Sequence, residues 1–283
     1  IKIIKNMNKY KSYAKINLGL EVLGKRTDGF HEISTIISKI NLYDEITLLS
    51  SDINSVHQVG INQENNIVFR ILNFMTDKYK TKNKLSIKVL KNIPYSSGMG
   101  GGSSNAATTI EAVNQIFKLN LDSKEKFDIA LKFGSDIPFF LSNSSANISG
   151  RGDIIKFIKN PSIKHIVIFH FKHEIYEKTK QIFNNNLKFT DGMKQKELLE
   201  KINSNEIIKG PLFNGLENSA LGLFKNLKEM KYKLESLGIK DLSMSGAGPT
   251  YYSIQNSEEN SNKVKSLVDS SGLDILAIKA QLL

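Results

Sequence analysis

No cysteine occurs in the 283 residues, so neither a disulfide nor a thiolate metal site is available. Histidine is scarce too, five in all, and no dense cluster of metal ligands stands out. No run approaches the roughly 20 apolar residues that a membrane helix needs, and the leading residues lack the apolar core of a secretory signal. Acidic residues are the minority, 28 against 39 Lys and Arg, giving a formal charge of +11. The Lys residues are nevertheless scattered, and basic clusters interleaved with aromatics, the kind that stack nucleobases, are missing. These absences fit a cytoplasmic protein with neither a membrane nor a nucleic acid as partner; a monomer or homodimer is expected, a choice the sequence leaves open. A plastid-derived compartment stays open because the chain starts at Ile1 rather than Met, as a trimmed or processed form does, with Met7 as an internal start. The excess of positive charge suits an enzyme of polyanionic substrates as well as it suits RNA, and it also fits a simple compositional habit.

Glycine is concentrated in one place. Residues 94 to 107 read Pro94, Tyr95, Ser96, Ser97, Gly98, Met99, Gly100, Gly101, Gly102, Ser103, Ser104, Asn105, Ala106, Ala107. Upstream, Leu85, Ile87 and Val89 alternate as in a strand. Downstream, Ala106, Ile110, Val113 and Phe117 recur at helical spacing. A glycine turn between a strand and a helix leaves several backbone N–H groups free to point at one anion. Ser103 and Ser104 are expected at the helix N-cap, where the dipole adds to the attraction. No Lys follows the last glycine, which excludes Walker A, and the glycines are not spaced as GxGxxG. The segment is therefore expected to hold phosphate in a third manner, the alternative being an ordinary flexible loop before a serine-capped helix.

Elsewhere, Ala14, Ile16, Leu18, Leu20 and Val22 alternate over a strand from Tyr13 to Val22, placing Lys15, Asn17, Gly19 and Glu21 on the other face. The alternation alone is equally met by a solvated strand face. Turn chemistry at Lys25 to Gly29 leads through Phe30 and His31 into a second apolar run. Helices are expected over Asn65–Lys78 and Lys124–Phe133, the latter closed by Gly134. Asp136 follows just before Pro138, held on a fixed turn or capping the next helical turn. The turn Ser149–Asp153 is the expected boundary between a domain of residues 1–153 and one of residues 154–283. His165–Phe171 reads as a buried strand, residues 180 to 210 as a weakly periodic Lys- and Asn-rich stretch, and Leu223 to Leu237 as one amphipathic helix closed by Gly238. A second glycine turn, Ser245-Gly246-Ala247-Gly248, precedes strand-like Tyr251, Tyr252 and Ile254.

Three of these segments, Tyr13 to Leu18, Pro94 to Ala107 and Ser243 to Thr250, resemble in order the three motifs of the GHMP kinase superfamily. Lys25 to His31 and Gly134 to Phe140 are similar to segments of a subgroup whose acceptor carries a cytidine diphosphate group, on the non-mevalonate isoprenoid route. A mevalonate- or homoserine-type acceptor is the nearest alternative, and an RNA-binding module a more distant one. The resemblance implies an α+β, two-domain fold: an N-terminal nucleotide domain like that of a ribosomal protein, a C-terminal α/β sandwich, and an active site in the cleft between them. It implies an ATP-dependent kinase using Mg2+, with residues 94 to 104 on the ATP phosphates and Ser104 on the metal. Asp136 is implied as the base on the acceptor hydroxyl and Lys15 as its cationic partner, with Asn17, Phe30 and His31 at the cytidine-bearing substrate. Phe30 stands where the family has Tyr, keeping an aromatic face but losing a hydroxyl. Met99 stands for a commoner Leu of similar volume.

Overall fold

The strand expected from Tyr13 to Val22 extends beyond that stretch at both ends. In the computed structural model, which describes residues 7–171 and 178–283, strand β1 runs over Asn8–Lys25 and β2 over His31–Ser51. The inward set Ala14, Ile16, Leu18, Leu20 and Val22 is buried, which is why β1 holds one register. After the short β3 (Ser55–Gln58) comes α1 (Ile67–Lys78), started by the Asn66 side chain accepting from the Val68 N–H at 2.9 Å. Strand β4 (Lys84–Leu90), α2 (Gly101–Phe117) and α3 (Ser123–Phe133) follow, α3 opening on a capping box between Asp122 and Glu125.

Inter-residue contacts divide the chain into two compact units that follow no single cut in the sequence. The first comprises the residues up to Ala14, Leu42–Pro94 and Gly100–Asn143. There, β3 pairs in parallel with β4, and β4 pairs antiparallel with the second half of β2. Ile46, Leu48, Leu85, Ile87 and Val89 are buried in this sheet, as are Val68, Ile71, Leu72 and Met75 on α1. Helix α2 packs against α1, α3 and a one-turn 3-10 helix at Pro138–Leu141.

The second unit comprises Lys15–Asn41, Tyr95–Met99 and Ser144–Leu283. Strands β5 (Ser145–Ser149) and β6 (Ile154–Ile158) form a hairpin whose turn is Ser149–Asp153, and β5 pairs with the first half of β2. The turn expected to divide two domains is thus a hairpin with both arms in one unit. A four-stranded antiparallel sheet is built from β7 (His165–Phe171), β8 (Ser243–Met244), β9 (Tyr251–Gln255) and β10 (Ile275–Ala280), in the order β10-β7-β9-β8. Its core gathers Val167, Phe169, Tyr251, Leu227, Met230 and Leu234 with Leu20 and Val22 of β1.

The helices of this unit are α4 (Lys178–Asn184), α5 (Met193–Asn203), α6 (Glu217–Leu223), α7 (Lys225–Ser236) and α8 (Glu258–Ser270). The stretch expected to be weakly periodic contains α5, whose inward set is only Gln195, Leu198 and Ile202. The single helix expected from Leu223 to Leu237 is broken at Phe224, which is extended at φ −117°, so Leu223 ends α6 and α7 starts afresh. Strand β1 is stitched into this unit from several sides. Leu20 N–H donates to Phe213 O at 2.8 Å, Gly215 N–H to Leu20 O at 2.8 Å and Thr190 N–H to Val22 O at 2.9 Å. Glu21, fully buried, accepts from the Gln195 N–H at 2.8 Å and so supplies the cap that α5, preceded by Gly192, lacks of its own. Among the described residues no helix is long and apolar enough to cross a membrane.

Candidate functional site

The glycine segment is shaped by three left-handed residues, Ser96 at φ 52°, Gly98 at 75° and Gly100 at 70°. Ser96 pays for this as a residue with a Cβ, about 1–3 kcal/mol of strain that its surroundings must offset. Helix α2 begins at Gly101 with Gly100 as its N-cap, and no side chain caps it. Ser103 and Ser104, expected at the cap, lie instead inside the first turn, because the left-handed Gly100 turns the chain into the helix three residues before Ser103. The first N–H groups of α2, at Gly101, Gly102 and Ser103, consequently have no intrahelical acceptor. Three consecutive glycines, Gly100 to Gly102, and a helix terminus without a side-chain cap form the kind of backbone that suits an anion.

The loop divides into anchors and an open face. Met99 is fully buried and Ser97 nearly so. Met99 O accepts the Lys15 N–H at 2.9 Å, which ties the loop to β1 beside the Lys15 side chain. Ser97 O accepts the Thr250 hydroxyl at 2.8 Å, and Ser97 Oγ accepts the Met99 N–H at 3.3 Å. A Cβ placed on Gly98 would stand 3.1 Å from Gly248 O, so the second glycine turn lies directly on the first. Gly98 and Gly102 are exposed, and a Cβ on Gly102 would meet nothing within 4 Å. Tyr95 and Ser96 are exposed and Pro94 is half-buried.

Lys15 is half-buried, its Nζ donating to Asn17 Oδ1 at 2.6 Å. Asn17 is 5% exposed, and its amide is already engaged: Nδ2 donates to Thr35 Oγ1 at 3.1 Å, while its backbone N–H donates to Ser245 Oγ at 3.0 Å. Asn17 orients the Lys15 ammonium and joins β1 to the second glycine turn, where a Cβ on Gly246 would stand 3.1 Å from its Oδ1.

Asp136 belongs to the first unit. It is exposed and makes no hydrogen bond or ion pair with the described residues. The 3-10 turn after it is preceded by Ile137 and has no side-chain cap, so the capping role left open by the sequence is not the one Asp136 plays. It stands on the segment Gly134–Ile137, held by the Ile137 N–H donating to Gly134 O at 3.3 Å.

Phe30 and His31 form a separate group at the start of β2. The turn before them is built by Arg26, which pairs with Asp28 and Glu32, and by Asp28, which accepts the Phe30 N–H at 3.1 Å. Phe30 is 54% exposed with the Arg151 guanidinium over its ring at 5.2 Å. His31 is buried, its ring 5.3 Å from that of Phe183 and 6.2 Å from that of Phe189. Burial, helped by the Lys25 charge, lowers its pKa and keeps the imidazole neutral at pH 7. Neither Phe183 nor Phe189 is signalled by a motif; an aromatic residue in a stretch without period is the only hint either gives.

Two further residues escape sequence reading. Asp44, fully buried on β2, accepts the N–H groups of Asn92 and Ile93, each at 2.8 Å, and pairs with the Lys91 ammonium. Lys91 Nζ in turn lies 2.9 Å from where a Cβ of Gly101 would be. A cation therefore sits against the first residue of α2.

Ser104, expected to hold a metal, is 2% exposed and its hydroxyl accepts from Ser12 Oγ at 2.8 Å. Among the described residues no group of three or more His, Asp or Glu could hold a cation.

Comparison with known proteins matches two family models. Residues 66–144 match "GHMP kinases N terminal domain" and residues 194–272 match "GHMP kinases C terminal". Curated relatives include a 4-diphosphocytidyl-2-C-methyl-D-erythritol kinase of Thermoanaerobacter pseudethanolicus, 36% identical over 87% of this chain and 86% of that one. One of the same description from Clostridioides difficile is 33% identical over 88% and 87%. Among solved structures, a 4-(cytidine 5'-diphospho)-2C-methyl-D-erythritol kinase superposes with a TM-score of 0.84 at 25% identity, covering 97% of this chain and 99% of that one. A mevalonate kinase of L. major, 13% identical with a TM-score of 0.70 over 99% of this chain and 97% of that one, shares the fold.

Proposed function

The chain belongs to the GHMP kinases, and from that membership we propose that it transfers the γ-phosphoryl group of ATP to the 2-hydroxyl of 4-diphosphocytidyl-2-C-methyl-D-erythritol, a step of the non-mevalonate isoprenoid route. The observation that carries this reading is the convergence on one glycine segment. Lys15 reaches it through the bond to Met99 O, and the second glycine turn reaches it through Thr250 and Gly248. The names of relatives more than 30% identical over most of their length supply the acceptor.

In this reading the N–H groups of Gly98 and of Gly100 to Ser103 hold the ATP phosphates, with Lys91 and the helix terminus adding positive potential. Ser97 and Met99 keep the loop in shape from behind. Mg2+, if bound with the nucleotide, would supply charge neutralisation for the phosphates, and Ser103 and Ser104 are the residues of the nearest turn that would hold it. Asp136 accepts the proton of the acceptor hydroxyl as its oxygen bonds to the γ-phosphorus and the bond to the ADP oxygen breaks. Lys15, oriented by Asn17, stabilises the charge that spreads over the transferring group. Phe30 stacks on the cytosine, and neutral His31, with one ring nitrogen to donate and one to accept, reads its polar edge.

The deciding experiment is ADP release with ATP and each of three acceptors: 4-diphosphocytidyl-2-C-methyl-D-erythritol, mevalonate and homoserine. Turnover with the first alone is expected. Preference for either of the others refutes the acceptor assignment, and absence of ATP turnover with all three refutes the kinase reading.

A further inference from the structure

His170 takes no part in the chemistry just described, and its bonding is unusually constrained. It lies on β7, 6% exposed, on the opposite side of the strand from Val167 and Phe169. Its Nδ1 is 3.2 Å from Thr250 Oγ1, and that same hydroxyl is 2.8 Å from Ser97 O. Thr250 is fully buried. A hydroxyl has one proton, and a carbonyl oxygen can only accept. The Thr250 proton is therefore committed to Ser97 O, and the Thr250 oxygen is left to accept. Only a protonated Nδ1 can complete the line.

We infer that His170 is a positioning residue for the phosphate-binding loop, held in its Nδ1–H form and acting through Thr250. The line of bonds continues beyond Ser97, since Ser97 Oγ accepts the Met99 N–H and Met99 O accepts the Lys15 N–H. His170 thus fixes the direction in which the Thr250 hydroxyl points, and that hydroxyl fixes the peptide joining Ser97 to Gly98. With the imidazole removed, the hydroxyl loses its donor, and the Ser97 carbonyl loses a partner of defined direction. The inference rests on the kinase reading for its ATP readout, whereas the tautomer does not depend on it.

The test has two arms on the full chain. In the first, long-range proton–nitrogen correlation on uniformly labelled wild type at about pH 8, where an ordinary imidazole is neutral, assigns the His170 tautomer, His170→Asn identifying its signals. The pattern of an Nδ1–H ring is expected, and an Nε2–H ring overturns the inference whatever the activity. In the second, His170→Leu is expected to raise KM for ATP roughly tenfold, the loss of one buried hydrogen bond, with kcat and the acceptor KM within about twofold. His170→Asn, whose side-chain N–H can take the place of Nδ1–H, restores KM. Thr250→Val matches His170→Leu, and the double variant is no worse than either alone. Unchanged KM for ATP in a folded His170→Leu, an equal rise for both substrates, or additive effects overturn it. Should the leucine variant fail to fold, the wild-type tautomer still decides. No turnover by wild type beside an Nδ1–H signature counts against the kinase reading alone.

Discussion

Gly102 offers a substitution that separates nucleotide binding from folding. It occupies the first turn of α2, is exposed, and has nothing within 4 Å of where a Cβ would stand. Replacing a helical glycine with alanine gains about 0.5–1 kcal/mol of stability, because the unfolded chain loses freedom. For a domain of this size that is a rise of a few degrees in Tm. The same methyl group, and more so the branched side chain of Gly102→Val, occupies the space through which a phosphate would approach the N–H groups of Gly101, Gly102 and Ser103. Two charge-assisted bonds at about 1.5–3 kcal/mol each put the expected loss at one hundredfold or more in ATP affinity for valine. Gly101 is the wrong position for this test: its Cβ would meet Ile93 at 3.2 Å as well as Lys91 Nζ. Calorimetric titration with a non-hydrolysable ATP analogue, paired with thermal melting, reads both quantities. Gly102→Val that melts no lower than wild type yet binds the analogue with unchanged affinity would refute the assignment of the phosphates to this helix terminus.

Asp136→Asn is expected to lower kcat by about 10²–10⁴-fold, the span of general-base catalysis, while calorimetry finds ATP affinity nearly unchanged; near-normal turnover removes Asp136 from the base role. Asp44→Leu leaves the N–H groups of Asn92 and of buried Ile93 without their acceptor, and denaturant unfolding should show a loss of about 3 kcal/mol, with ATP affinity falling as the run into the glycine loop loosens. His31 has its pKa lowered in the folded chain, so the unfolded chain takes up the proton first as pH falls. Its contribution to stability is complete above about pH 6.5 and is lost as pH drops through the lowered folded value. Unfolding free energies from pH 8 to 5 should therefore slope less in His31→Gln, and equal slopes contradict the burial argument.

Local patterns were sufficient where one chemical rule governs a segment. β7 is His165–Phe171 as the apolar run Ile166–Phe169 predicts, and the strand-turn-helix at Gly98–Gly102 is legible because Gly98 and Gly100 take left-handed angles that favour glycine. Failures occur where a distant residue decides. Helix α5 has a thin inward set and takes its cap from Glu21, so nothing within residues 193–203 announces it. The N-cap of α2 falls at Gly100 rather than at Ser103 or Ser104 because a left-handed glycine can open a helix without a side-chain cap. Asn17, legible as a polar residue on a strand face, owes its job to Thr35 and Ser245. Asp44 meets Lys91 and Ile93, and Phe183 meets His31, only through the fold, since those partners lie far along the chain.

The hairpin turn Ser149–Asp153 and the embedding of β1 together define a practical seam. Cutting there severs a surface turn, yet the piece 154–283 leaves behind the strand that binds Phe213, Gly215 and Thr190 and the carboxylate that caps α5. The two pieces should be mutually dependent, each recovering its structure only on meeting the other. A split at this turn would make the protein a fragment-complementation reporter, its kinase activity returning only when two fused partners bring the halves together.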